Sequence, residues 1–189
     1  MDAKVANGAF LLLLVDPVTC FRAASYTQHQ TFHLEPNASL IVLDWLTAGR
    51  ISRDEEWVFA KYHSINEVWQ AGRRIARDVM LLEQPLDSSP LPSRTLKDRL
   101  APYSCYATLL MFGPMVASIA TSLAAQYDAI SQMQRTSAPD FIWSLSSLDG
   151  GCIVRAAGME TEVVKMWLKV ALADLAIVIG NNTFHKAFF

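Results

Sequence analysis

The sequence predicts a mainly β fold that carries two α-helices in its C-terminal half. Three observations support this class. The first half consists of short runs of β-branched, aromatic and aliphatic residues separated by turn residues, and the runs cover residues 9–15, 26–34, 39–46, 57–62, 67–70 and 75–82. Several runs are apolar at consecutive positions, which is typical of strands covered on both faces. Helical spacing of apolar residues begins only after residue 113. We therefore expect two stacked sheets, arranged as a β-solenoid-like stack or, alternatively, as a β-sandwich.

The connections between these runs follow from turn chemistry. Residues 71–73 (Ala-Gly-Arg) predict a tight hairpin between the fifth and sixth runs. Residues 84–95 are rich in proline and serine and predict a loop, because proline continues neither a helix nor a central strand. A further strand is expected over 106–112, and a hairpin around Asp149-Gly150-Gly151 should join strands at 141–145 and 153–155.

Two helices complete the prediction. The first begins at Pro114, where the missing proline N–H costs nothing, and its apolar positions form one stripe: Met115, Ile119, Leu123, Tyr127 and Ile130. The second covers 160–179 and should end at Gly180. Its apolar positions occupy more than one face, which is typical of a buried helix or of one that docks a partner. The candidate docking residues are Val164, Trp167, Leu168 and Leu172.

Composition limits the function classes. The chain has 189 residues, enough for one domain over 1–189. It is 52% hydrophobic and 18% charged, with a net charge of -2, which favours an assembly component and argues against a nucleic-acid partner. Its three cysteines have no metal-binding spacing and are expected to be buried thiols of a cytoplasmic protein. The uncharged segment 100–127 is broken by Gly113-Pro114, so we expect a strand and a packed helix there and no membrane span.

Chemistry is concentrated in the carboxylates, since no catalytic motif is present. Asp44, Asp78 and Glu83 lie in or at the end of apolar runs, and Glu55 precedes another. One interpretation pairs these acids with Arg50, Arg77 or Lys61 to hold turns in place. The other makes them oxygen ligands along an internal passage for a divalent metal. Because a lone acid in a strand is costly to bury, Asp44 and Arg50 invite a joint explanation. His29 and His33 are expected to be ordinary surface residues.

Three segments carry a resemblance to a known family. Residues 39–50 read SLIVLDWLTAGR and are followed by EEWVFAKY at 55–62. Upstream, DPVTCFRAASYTQHQTF occupies 16–32, and downstream VRAAG at 154–158 precedes ETEVV. Together they resemble the urease accessory protein D family (UreD, or UreH), over nearly the whole chain. The family pattern falls on Asp44, Thr47, Gly49, Arg50, Glu55 and Trp57, and we expect Gly49 to adopt a backbone angle that a side chain would forbid. Family members carry a further N-terminal stretch, so the chain is expected to correspond to the C-terminal two-thirds of the family domain.

The resemblance implies a fold and a function. The fold would be a solenoid-like stack of strands with two helices toward the C-terminal end. The function would be non-enzymatic: a scaffold that helps to assemble the nickel centre of apo-urease together with the helical adaptor UreF and the nickel-binding GTPase UreG. Nickel would pass transiently. The resemblance does not say which acids contact it, and the residues themselves offer Asp44, Glu55, Asp78 and Glu83 as candidate ligands. The alternative is a small-molecule enzyme on a β scaffold that uses Asp44 or Asp78 as an acid or base.

Overall fold

The computed structural model describes residues 1–85, 94–130 and 139–187. Its strands are β1 (Asp2–Val5), β2 (Phe10–Leu14), β3 (Val18–Thr19), β4 (Ser25–Leu34), β5 (Ser39–Thr47), β6 (Lys61–Gln70), β7 (Arg73–Glu83), β8 (Cys105–Phe112), β9 (Phe141–Leu148) and β10 (Gly151–Gly158). Its helices are α1 (Leu96–Leu100), α2 (Ala117–Asp128), α3 (Thr161–Ala171), α4 (Leu175–Ile179) and α5 (Asn181–Ala187). Single 3₁₀ turns cover Ile51–Arg53 and Pro114–Val116.

The strands form two mixed sheets. The first sheet has the order β1-β4-β6-β7, and the second has the order β2-β5-β8-β10-β9, with β3 also pairing with β5. Up to β6 the longer strands alternate between the sheets, and β1, β4 and β6 are parallel neighbours, as are β2 and β5. From β7 onward the new pairings are antiparallel. The predicted mainly β class is confirmed, whereas a solenoid is not confirmed for the chain as a whole.

The second sheet is the central layer of the molecule. Strand β5 alternates its side chains, so that Leu40 and Val42 face the first sheet while Ile41 and Leu43 face the helices. All four are at most 3% exposed, because α2, α3 and the following helices cover one face of this sheet and the first sheet covers the other. Coverage on both faces is therefore confirmed for the second sheet. The first sheet differs, since its outer face carries the exposed residues Thr27 and His29.

Several strand boundaries differ from the prediction. The runs 57–62 and 67–70 belong partly to one ten-residue strand, β6, which begins only at Lys61. Trp57 is excluded from it because its φ of +57° interrupts the extended backbone. The short strands β1 and β3 were not predicted, since neither has a recognisable apolar run. The hairpin at residues 71–73 and the turn before Gly151 are confirmed. Of the predicted loop, residues 86–93 lie outside the described residues.

The expectation of only two helices is wrong. The helix predicted over 160–179 is interrupted after Ala171, resumes at Leu175 and ends before Gly180 as predicted, but a further helix, α5, follows. The interruption lets Leu172, Leu175 and Phe184 all reach the core cluster over the second sheet, and each is buried. Tertiary packing thus overrides the helical periodicity of the segment.

The helix predicted at Pro114 begins as a 3₁₀ turn and becomes α-helical at Ala117. Within its predicted stripe, Ile119 and Leu123 are buried, whereas Met115 is 42% exposed and Ile130 lies beyond the helix. In the parts of the chain that the structure describes, no helix has the length and apolar character needed to cross a membrane.

The three cysteines are free and buried, as predicted. Burial raises the pKa of Cys105 to about 12 and that of Cys152 to about 11. Burial also raises the pKa of Cys20. These thiols therefore remain protonated at neutral pH and act as small core residues.

Candidate functional site

The family-like strand β5 places Asp44 between the two sheets. Its neighbours on the same face, Val42 and Leu46, belong to two separate apolar clusters of the inter-sheet layer. Asp44 lies between these clusters and is only 8% exposed. Alternation along the strand therefore directs a carboxylate into a layer that is otherwise apolar, and the layer must supply it with hydrogen bonds.

Four neutral donors from the first sheet bind this carboxylate. Gln28 Nε2 lies 2.8 Å from Oδ1 and Tyr62 Oη lies 3.1 Å from the same oxygen. The Ser64 hydroxyl and Asn66 Nδ2, the latter at 2.7 Å, bind Oδ2. Burial raises the pKa of Tyr62, and the negative charge of Asp44 raises it further, so the phenol stays protonated and donates. These donors explain how a charge is held here without a cation.

The joint explanation of Asp44 and Arg50 is wrong. Arg50 instead binds Glu55 with both Nε and Nη2, each at 2.8 Å from a carboxylate oxygen. This bidentate hydrogen bond from Arg50 lowers the pKa of Glu55. Arg50 is also stacked 4.2 Å from the centre of the Phe21 ring. Asp44 points from β5 toward the first sheet, whereas Arg50 follows the end of β5 in the turn that also contains Glu55, so Arg50 meets Glu55 and not Asp44.

The turn around Arg50 is built on tight backbone contacts. Gly49 has a φ of +126°, and a Cβ at this position would lie 2.0 Å from the Glu55 carbonyl oxygen, which confirms the predicted need for glycine. Trp57 is 1% exposed and donates from Nε1 to the Tyr103 carbonyl at 3.2 Å. Thr47 shares a 2.8 Å hydrogen bond with Thr19. The family-like residues therefore divide into a buried acid, Asp44, and a packed turn.

Of the other two candidate acids, Glu83 binds one of the predicted partners, Lys61, whereas Asp78 binds a cation that was not predicted. Asp78, 4% exposed, is bound by Arg155 from the second sheet and not by Arg77. Glu83 pairs at 3.1 Å with Lys61, its neighbour across the β6–β7 ladder, and is about half exposed. The predicted partner Arg77 binds Glu67 on the outer face of the first sheet, at 3.1 Å. Ion pairing thus accounts for Glu55, Asp78 and Glu83, and hydrogen bonding accounts for Asp44.

A metal site requires several ligand side chains grouped together. Within residues 1–85, 94–130 and 139–187, no three His, Cys, Asp or Glu side chains are grouped so that they could hold a metal ion. Asp44 has its acceptor capacity taken up, because a carboxylate offers about four lone-pair positions and four donors occupy them. His29 and His33 lie on the outer face of the first sheet, near Glu67 and Asp2 respectively.

The candidate docking residues of α3 point mostly inward. Val164, Leu168 and Leu172 are at most 1% exposed and pack in the core over the second sheet. Trp167 is half-buried, with its ring 5.2 Å from that of Trp143 and 5.3 Å from that of Phe141. Their apolar character is explained by packing within the chain. The exposed apolar residues of these helices are others: Met166, Val170, Ile177 and Val178.

The sequence prediction missed the donors to Asp44 and the cation that binds Asp78. Gln28, Ser64 and Asn66 occupy inward positions of β4 and β6, where polar residues interrupt the expected apolar alternation. That interruption was a usable signal. Arg155 gave none, because only the tertiary structure brings β10 opposite β7.

Comparison with known proteins decides the family. A sequence model of the family described as UreD urease accessory protein matches residues 1–184. The chain belongs to the UreD family. Urease accessory protein 4 of Cryptococcus neoformans var. grubii is 35% identical over 98% of this chain and 61% of its own length. Urease accessory protein D of Oryza sativa subsp. indica is 32% identical over 95% of this chain and 64% of its own length. Urease accessory protein UreD of Anaeromyxobacter sp. is 35% identical over 98% of this chain and 60% of its own length. The chain therefore spans about three fifths of the length of these UreD-family relatives.

Proposed function

We propose that this chain takes part in urease maturation in the cytoplasm, as a non-enzymatic scaffold that binds apo-urease. Family membership carries the proposal, because the UreD model matches residues 1–184 and the curated relatives are named urease accessory proteins. The structure contributes a physical argument against the enzymatic alternative. Asp44 and Asp78, its candidate acid or base, are both under 9% exposed and already engaged with donors from the facing sheet. Both oxygens of Asp44 already accept hydrogen bonds, and Asp78 Oδ1 is bound by the Arg155 guanidinium.

Nickel would be a cargo of this scaffold. We propose a transient passage along the inter-sheet layer, where Asp44 and Asp78 lie on facing sheets close to one polar residue, Asn66. Glu55 and Glu83 lie near the same end of the first sheet. Gln84, which follows Glu83, donates to the carbonyl of Trp57, two residues after Glu55, at 2.5 Å. Weak, already partnered oxygen ligands suit transfer, since a cargo must also be released. The four acids remain candidate contacts on this route.

The proposal predicts the outcome of deleting the gene in its source organism. Urease activity should be lost while the amount of urease protein is unchanged, because maturation and not synthesis is affected. Activity is measured in extracts, and urease protein is quantified by immunoblot. Restoring the gene in the deletion strain is the control. Normal urease activity in the deletion strain would contradict the proposed function.

We further propose that the exposed apolar side of α3 docks the helical adaptor, UreF, which in turn brings the nickel-binding GTPase, UreG. Met166 and Val170 are one helical turn apart and are 62% and 76% exposed. Two apolar side chains this exposed on one helix face favour an interface over a solvated surface.

The double substitution Met166→Asp/Val170→Asp is expected to weaken capture of the adaptor in a pull-down by tenfold or more, since burying two carboxylates in an interface costs at least about 1.4 kcal/mol. Folding should be intact because both residues face solvent. Val79→Asp on the outer face of the first sheet, 45% exposed, is the matched control and should leave capture unchanged. Equal capture by all three proteins would place the adaptor elsewhere.

A further inference from the structure

A closed ring of polar side chains lies in the inter-sheet layer. Asn66 donates to Asp44 and faces Asp78 across the β6–β7 ladder. Asp78 is bound by Arg155, and Thr108 is the direct neighbour of both Arg155 on β10 and Asp44 on β5. These five residues, here called the polar ring, connect the two sheets through two side-chain contacts and three pairs of strand neighbours. The ring separates the apolar cluster that contains Val42 from the one that contains Leu46.

The ring contains buried oxygen atoms that lack a hydrogen-bond partner among the described residues. They are Asn66 Oδ1 and Thr108 Oγ1, on side chains that are 0% and 1% exposed. A third such atom is Oε1 of Gln30, the direct neighbour of Asn66 on β4. A buried polar atom without a partner costs about 1–3 kcal/mol. All three atoms belong to side chains of the inter-sheet layer, and two of them, on Gln30 and Asn66, are on directly neighbouring residues.

A cavity lies beside this layer. Its volume is about 240 Å³, and residues of β7, β8, β9 and β10 line it. Thr108 and Arg155 of the ring line it, together with Met80 and Tyr106. Thr108 therefore borders this cavity, while its hydroxyl oxygen is itself buried.

We propose that the polar ring binds an ordered water molecule between Asn66, Thr108 and Gln30. Water matches these unpartnered atoms, because it donates hydrogen bonds to the amide oxygens of Asn66 and Gln30 while its oxygen accepts one from the Thr108 hydroxyl. A permanently bound metal ion, as distinct from a nickel ion in transit, matches them less well. The oxygens of Asp44 already accept from four donors, and the positive charge of Arg155, the strand neighbour of Thr108, disfavours a resident cation. The bound water is thus part of the contact that holds the two sheets together.

The substitution Thr108→Val tests this by the sign of its effect on the melting temperature. Valine has nearly the shape of threonine, so in a dry ring it removes an unpaired hydroxyl and raises the melting temperature. In a hydrated ring it removes a ligand of the water and lowers the melting temperature by about 2–4 °C, the shift expected for 1 kcal/mol in a chain of this size. Thr27→Val, on the exposed face of β4, is the matched control and should change it little. A rise for Thr108→Val overturns the proposal.

Two direct measurements accompany the variant. A high-resolution crystal structure of the chain should show solvent density within hydrogen-bond distance of Asn66 and Thr108, and its loss in Thr108→Val would confirm the assignment. An empty cavity there would overturn it. Melting temperatures in sodium, potassium and tetramethylammonium chloride at equal ionic strength should agree. Stabilisation by one of these cations alone would show a bound ion in place of water and would also overturn the proposal.

Discussion

Replacing Asp44 with alanine is expected to lower the free energy of unfolding by about 3–5 kcal/mol. Four buried or half-buried donors, Gln28, Tyr62, Ser64 and Asn66, share this carboxylate as their acceptor. Each donor left without a partner costs about 1–3 kcal/mol, and the four losses are less than additive because the donors lie in one network. Urea denaturation followed by tryptophan fluorescence measures the loss.

Two further substitutions make this measurement specific. Asp44→Asn keeps the shape but replaces one acceptor oxygen with an amide donor, so it should cost less than the alanine variant and still be clearly destabilising. Asp16→Ala removes an exposed aspartate from the segment between β2 and β3 and should leave stability within about 0.5 kcal/mol of the original. An Asp44→Ala midpoint equal to that of Asp16→Ala would show that the carboxylate does not bind these donors.

Replacing Arg155 with methionine is expected to have the second largest effect, also about 3–5 kcal/mol. The substitution leaves Asp78, 4% exposed, as a buried carboxylate without its cation, and stranding one member of a buried pair costs this much. Methionine preserves most of the length and apolar stem of arginine, so the loss reports the charge and not the packing. The free energy of unfolding from urea titration is again the measurement.

A double variant and a matched pair test the cause. Adding Asp78→Asn to Arg155→Met removes the stranded charge and should recover part of the lost stability, giving a favourable coupling in the double-mutant cycle. Arg73→Met breaks another Arg–Asp pair, with Asp149, in which both side chains are more than 70% exposed. That substitution should cost no more than about 1 kcal/mol. Equal losses for Arg155→Met and Arg73→Met would mean that Asp78 is solvated.

Asp44→Ala and Arg155→Met both weaken the contact between the sheets. The same contact explains part of the family-like motif. A tight turn explains four of the family-like residues: Gly49, Arg50, Glu55 and Trp57. Gly49 packs closely against a backbone oxygen, and Arg50 forms two hydrogen bonds with Glu55 in the same turn. Asp44 is explained by cross-sheet hydrogen bonds. The motif can therefore be retained for structural reasons even where a proposed nickel passage runs beside it.

How far the sequence predicts the fold depends on the range of the interactions involved. Strand β5, the hairpin at residues 71–73 and the end of α4 at Gly180 were predictable, because each depends on neighbours within a few positions. The start of β6 at Lys61 was missed, since Trp57 adopts a positive φ and an aromatic residue at that position predicts extended backbone. The division of the final helix was missed because it serves contacts with the second sheet.

The sequence by itself determined the family, the mainly β class, the buried acid in β5 and the need for glycine at position 49. These are properties of local pattern, in which side-chain size, alternation and turn chemistry act over a few residues. Only the tertiary structure decided that Asp44 binds Gln28, Tyr62, Ser64 and Asn66, that Arg50 binds Glu55, and that Arg155 reaches Asp78. The reason is physical: a buried charge requires partners, but the strand that supplies them is set by how the sheets stack, which residue spacing does not encode.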